Sequence, residues 1–175
     1  ADVFLTWPDT VSSVAATIDN MRRRSAAVGR ELRYGLRAHV IVRETEAEAR
    51  AAADQLVSRL DDETGKAIRE KSLDTTSVGV SRQSDLRDSA DNDGYAEANL
   101  WTGIGRARSG AGAAIVGDPD QVVAKLEAYR AAGVDAFILS GYTHEAECDL
   151  VEVGAGDKGS RRGGQRIDDD GIGQA

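Results

Sequence analysis

Apolar and polar positions along this chain fall into blocks whose period switches between two and about four. Val3-Phe4-Leu5-Thr6-Trp7 is a short β-rich run stopped by Pro8. Asp9 or Thr10 is placed to cap the next helix, in which Val11, Val14, Ile18 and Met21 recur at helical spacing before Gly29 stops it. Leu32 to Val42 predicts a second strand. Thr45 with Glu48 three residues later is a capping-box pattern, and the helix it opens sets Ala52, Leu56, Val57 and Leu60 on one face.

From about Asp61 to Asn99 the periodicity is lost, and this stretch reads as a long excursion with some helix in its first half. Order returns at Leu100-Trp101-Thr102-Gly103-Ile104-Gly105. A glycine-rich segment runs on to Gly112, followed by the apolar run Ala113 to Gly117. Asp118-Pro119 opens a helix with an N-cap acid and a first-position proline. Its stripe is Val122, Val123, Leu126 and Tyr129, and Gly133 ends it. Asp135 to Ser140 predicts a buried strand that runs into Gly141-Tyr142. Strand and helix alternate, which predicts an α/β fold of parallel βα units. Three or four such units make about half of a (β/α)8 TIM barrel, which needs about 250 residues when closed. The expected division is a barrel portion over 1–152, with an insertion at 61–99 and a mobile lid at 103–112. A disordered tail is expected over 153–175, which is too polar to bury a core.

Composition narrows the partners. The 175 residues carry a formal net charge of −8, which argues against general affinity for nucleic acid or anionic membrane. No apolar run approaches the roughly 20 residues that span a bilayer. One cysteine, Cys148, allows no intrachain disulfide and fits a reducing cytoplasm. The chain opens within a strand, without a methionine or a signal peptide, and so reads as a C-terminal fragment. Loss of the last barrel helix to the tail fits a truncation or a frameshift near Val153.

Parallel barrels place their chemistry at the C-terminal ends of the strands. That rule selects Trp7, Arg37, His39, the glycine-rich segment and Tyr142. Arg37 and His39 are two apart on one strand, so both point to one face. Together they could form an anion site with a group that titrates near neutrality. The alternative is a buried ion pair or a core histidine with its hydrogen bonds satisfied. Gly103 to Gly112 departs from a dinucleotide fingerprint, because Arg108 occupies the third glycine position. A lid delivering Arg108 to an anionic substrate fits better, against an ordinary surface loop. Tyr142 could donate a hydrogen bond to a ligand oxygen or seal the barrel rim. Trp7 could wall a pocket or belong to the core. No His, Cys and Asp cluster has metal-ligand spacing.

Several strings resemble a known family. Asp2-Val3-Phe4-Leu5-Thr6-Trp7, Leu36-Arg37-Ala38-His39-Val40-Ile41-Val42-Arg43-Glu44-Thr45, Ser109-Gly110-Ala111-Gly112, Val116-Gly117-Asp118-Pro119 and Phe137-Ile138-Leu139-Ser140-Gly141-Tyr142 are similar to the alkanesulfonate monooxygenases of the bacterial-luciferase-like barrels. The similarity runs over roughly residues 1 to 147. It implies a cytoplasmic, usually oligomeric (β/α)8 enzyme. Such an enzyme takes reduced FMN from a separate NAD(P)H-dependent FMN reductase and uses O2 to cleave the C–S bond of an alkanesulfonate. The products are an aldehyde and sulfite.

By the same resemblance, Arg37, His39, Arg108 and Tyr142 match active-site residues and Trp7 matches a pocket wall. A sulfonate wants arginine and a dry cavity, which agrees with those roles. The family's active-site cysteine and flavin-phosphate loop lie upstream of the matched region, and Thr143 replaces a family proline. Another luciferase-like flavin or deazaflavin oxidoreductase is the near alternative. A non-catalytic remnant is the distant one, and the isolated chain is expected to be nearly inactive.

Overall fold

The computed structural model describes residues 1–58, 78–107 and 112–141. Its elements are β1 (Val3–Thr6), α1 (Val11–Ala27), β2 (Arg33–Val42), α2 (Glu46–Val57), α3 (Val78–Asp88), β3 (Tyr95–Glu97), β4 (Leu100–Trp101), α4 (Ile104–Ala107), β5 (Ala114–Gly117), α5 (Pro119–Ala131) and β6 (Ala136–Ser140). The fold is α/β, a curled open sheet with helices on both faces, an incomplete portion of a (β/α)8 barrel.

Local chemistry sets most boundaries. Thr10 caps α1 by accepting from the Ser13 amide, and Thr45 and Glu48 form a capping box on α2. Asp118 and Gln121 form a second box on α5, with Pro119 in its first turn. Gly29 and Gly133 follow α1 and α5 with φ of +69° and +104°, a region that costs other residues energy.

β2 is the hub of the sheet. β1 pairs with its residues 33–36, β5 with 39–42 and β6 with 35–39, all in parallel. β1 and β6 share partners on β2, and so do β5 and β6. β1 and β5 therefore lie end to end along one edge of β2, with β6 along the other. A barrel wound strand by strand would set β5 between β2 and β6. Here four-residue β5 covers only the end of ten-residue β2 and leaves the opposite edge to β6. The short β3–β4 hairpin adds antiparallel pairs to β5.

Two layers bury the sheet. Tyr34, Leu36, Ala38, Val40 and Val42 face α1 and α5, packing with Val14, Ile18, Val122 and Tyr129. Ile41, Ala114 and Val116 face the other way, against Ala49 and Ala53 of α2 and against Trp101 and Ile104.

Two expectations change. The 61–99 stretch, expected to be an excursion with some helix in its first half, carries α3 and strand β3 in its second; residues 59–77 lie outside the described residues. On α2 the buried positions are Ala49 and Ala53, while Leu56 is exposed. The stripe is shifted because α2 packs closely on β5 through small side chains. The tail expected at 153–175 lies outside the described residues.

Candidate functional site

The odd-numbered face of β2 changes character along its length. Arg33 and Arg37 are exposed, whereas His39 and Ile41 are buried, His39 to 4% exposure. In-register parallel partners share a face, so Leu5 lies beside Gly35, Ile138 beside Arg37 and Ser140 beside His39. The early half of this face is open: Val3, Leu5 and Ile138 are large apolar residues left exposed there. Arg37 stands among them, and no hydrogen bond or ion pair among the described residues engages its guanidinium.

His39 meets Ser140 across the β2–β6 pair, with the hydroxyl oxygen 3.0 Å from Nδ1. Which of the two donates follows the tautomer. Arg37 and His39 thus share a face, with an open guanidinium one pleat from a shielded imidazole. The sequence reading had not singled out Ser140. Its signal was a hydroxyl closing an otherwise apolar strand at the C-terminal end, where barrel chemistry sits.

Trp7 is half-buried at the end of β1. It lines an open cleft of about 310 Å³ with Thr6, Thr17, Arg82 and Gln83, whose walls do not include Arg37 or His39. The backbone of Gly112 lies against Trp7 and Pro8: a Cβ there would fall 3.4 Å from Pro8 Cδ and 3.7 Å from Trp7 Cβ. Arg108 and Tyr142 lie outside the described residues, as do residues 108–111 of the expected lid. The preceding residues, Ile104–Ala107, form the short helix α4.

A second cleft, about 500 Å³, opens between α2, α3 and the hairpin and is lined by Arg50, Arg87, Arg106 and Tyr95. The Arg50 guanidinium lies 4.1 Å above the Tyr95 ring and pairs with Glu46 at 2.9 Å. A hydrogen bond from Gln121 and the contact with Arg50 hold Glu46 below the usual carboxylate range. Burial pushes the Tyr95 phenol up to about 12, so it stays protonated at neutral pH. Among the described residues its hydroxyl has no hydrogen-bond partner. No metal-competent cluster of His, Cys, Asp or Glu occurs among the described residues, and no described helix is long and apolar enough to cross a membrane.

The sequence profile of the luciferase-like monooxygenases matches residues 1–136, and the chain belongs to that family. Among its relatives is the sulfoquinovose monooxygenase of Novosphingobium aromaticivorans, 65% identical over 150 residues. That match covers 86% of this chain and 41% of the relative. The sulfoquinovose monooxygenase of Agrobacterium fabrum is 55% identical over 148 residues, covering 85% and 38%. The chain therefore spans about two-fifths of the length of these relatives.

Solved structures agree on the fold. DmoA from Hyphomicrobium sulfonivorans superposes with a TM-score of 0.63 at 18% identity, covering 87% of this chain and 36% of that one. A long-chain alkane monooxygenase gives 0.61 at 19% identity, covering 93% and 38%.

Proposed function

We propose that this chain is the sulfonate-binding portion of a flavin-dependent monooxygenase that cleaves the C–S bond of a sulfonated sugar of the sulfoquinovose kind. The products are an aldehyde and sulfite. The observation that carries the reading is the strip of Arg37, His39 and Ser140 on one sheet face. It presents an open guanidinium to an anion and a shielded imidazole beside it. Identity of 65% to a sulfoquinovose monooxygenase supports the sugar substrate. The alkanesulfonate reading rests on the motif strings of β2 and β6 and is the second choice.

The donor set fits an anionic substrate. Arg37 binds the sulfonate, and His39 holds or gives a proton, with its ring oriented by Ser140. Arg108 and Tyr142 complete the pocket in this reading, and Trp7 walls the neighbouring cleft after β1. Reduced FMN, delivered by a separate NAD(P)H-dependent FMN reductase, supplies the electrons that reduce O2. Its phosphate is held by barrel segments beyond those matched here. The working unit is a cytoplasmic homo-oligomer of closed barrels.

The test joins this chain to the N-terminal part of the Novosphingobium relative and supplies reduced FMN and O2. Sulfite released from sulfoquinovose faster than from octanesulfonate supports the reading. The reverse preference moves the assignment to alkanesulfonates, and no sulfite from either refutes it.

A further inference from the structure

We propose that Gln83 and Arg87, on one face of α3, are positioning residues that lock the Trp7–Pro8 corner to both roots of the glycine-rich segment. α3 is held by directional contacts more than by apolar burial, since Leu86 is its only fully buried side chain. Residues 82, 83, 86 and 87 recur at helical spacing and form one face. Each reaches a different piece of chain.

The Arg82 guanidinium donates to Thr17 Oγ1 of α1 at 3.3 Å. Gln83 Nε2 donates to the Pro8 carbonyl at 2.9 Å, one residue past Trp7. Arg87 Nη1 donates to the Gly105 carbonyl at 3.4 Å, while Nη2 donates to Ser84 Oγ at 3.1 Å and fixes the fork. Leu86 packs with Leu100, three residues before the glycine-rich segment, and with Ala113, immediately after it.

Two glycines show how closely α3 is seated. A Cβ on Gly105 would lie 3.0 Å from Arg87 Nη1. A Cβ on Gly112 would lie 3.5 Å from Gln83 Oε1, in addition to its contacts with Pro8 and Trp7. Gly112 also has φ of +75°, so its backbone conformation disfavours a side chain. The segment's entry at Gly105, its exit at Gly112–Ala113 and the corner after β1 therefore converge on one helix face. These contacts avoid both large core clusters, so removing one loosens the junction and leaves the sheet packing intact. The geometry stands by itself; its weight for catalysis rests on the sulfonate site proposed above.

The experiment is limited trypsin digestion of the whole chain, with iodide quenching of its two tryptophans. Trp101 is 2% exposed, so iodide reports Trp7. Arg87→Ala speeds cleavage after Arg106 in α4 by about tenfold and leaves cleavage after Arg23 in α1 unchanged. Arg87→Lys, which keeps one donor for Gly105, restores most of the protection. Gln83→Ala raises Trp7 quenching about twofold without moving cleavage after Arg23.

Equal acceleration at Arg23 and Arg106 would reduce α3 to ordinary stabilisation and overturn the proposal. So would unchanged cleavage and quenching in all three variants. These readouts need no turnover, so a failed sulfite assay with the junction intact would sink the sulfonate reading alone.

Discussion

His39 Nδ1 and Ser140 Oγ lie 3.0 Å apart across parallel strands β2 and β6, residues separated by 101 positions in the chain and brought together by strand register. The hydroxyl holds one ring nitrogen and so fixes how the imidazole lies in the sheet. In the joined enzyme, Ser140→Ala should lower kcat about tenfold through misorientation, with KM nearly unchanged. Steady-state kinetics over a range of pH checks this, and an unchanged profile would remove Ser140 from the site.

Gly103 supports the Trp101 ring. A Cβ at Gly103 would fall 2.2 Å from Trp101 Cζ2 and 2.4 Å from Cε2, atoms of a buried indole that cannot swing aside. Gly103→Ala should therefore destabilise the fold by about 1–3 kcal/mol. At Gly35 the obstruction is Leu5 Cδ2, the far end of an exposed side chain, so Gly35→Ala should cost much less. Urea denaturation of the pair measures the contrast.

Lys125 is a buried cation in α5. Its Nζ lies 2.7 Å from Glu97 Oε1, which also accepts the Val11 amide at 3.0 Å. One carboxylate thus ties the hairpin, the start of α1 and α5 together. Lys125→Ala strands a partly buried carboxylate and should cost about 2 kcal/mol, part of the penalty being relieved by solvent. Lys125→Met refills the volume and should cost less than the alanine change. Thermal unfolding orders the two.

Two buried tyrosines predict a loss of stability at alkaline pH. Burial raises both Tyr95, to about 12, and Tyr129, whose hydroxyl donates to the Asp9 carbonyl at 2.7 Å. An unfolded tyrosine ionises near pH 10, so between about 10 and 12 the unfolded chain holds fewer protons than the native one. Stability must then fall as pH rises. The midpoint of thermal melting should drop from pH 9 to 11, and less steeply in Tyr95→Phe. At pH 7 that variant removes a buried hydroxyl that has no partner among the described residues, and it should be neutral or stabilising by about 1 kcal/mol.

What the sequence made legible was local. The caps at Thr10, Thr45 and Asp118 rest on contacts three residues apart and fall where the pattern placed them. Two-residue periodicity likewise set Arg37 and His39 on one face. Features decided by tertiary register were hidden. Ser140 became a partner of His39 only because β6 pairs with β2. Lys125 broke an apolar stripe because its charge finds Glu97. α3 escaped notice because polar side chains reaching distant backbone, not an apolar stripe, hold it in place. On α2, Ala49 and Ala53 are buried because they are small, a property that hydrophobicity alone underrates.

Sulfite release from sulfoquinovose, by this chain joined to the N-terminal part of its Novosphingobium relative, decides whether Arg37 and His39 form a sulfonate site. Reduced FMN and O2 are supplied, and the joined protein is compared with its His39→Ala and Arg37→Ala variants. The expected result is stoichiometric sulfite, a loss of kcat of about a hundredfold without the imidazole, and a KM raised at least about tenfold without the guanidinium. Sulfite release that both variants leave unchanged would contradict it.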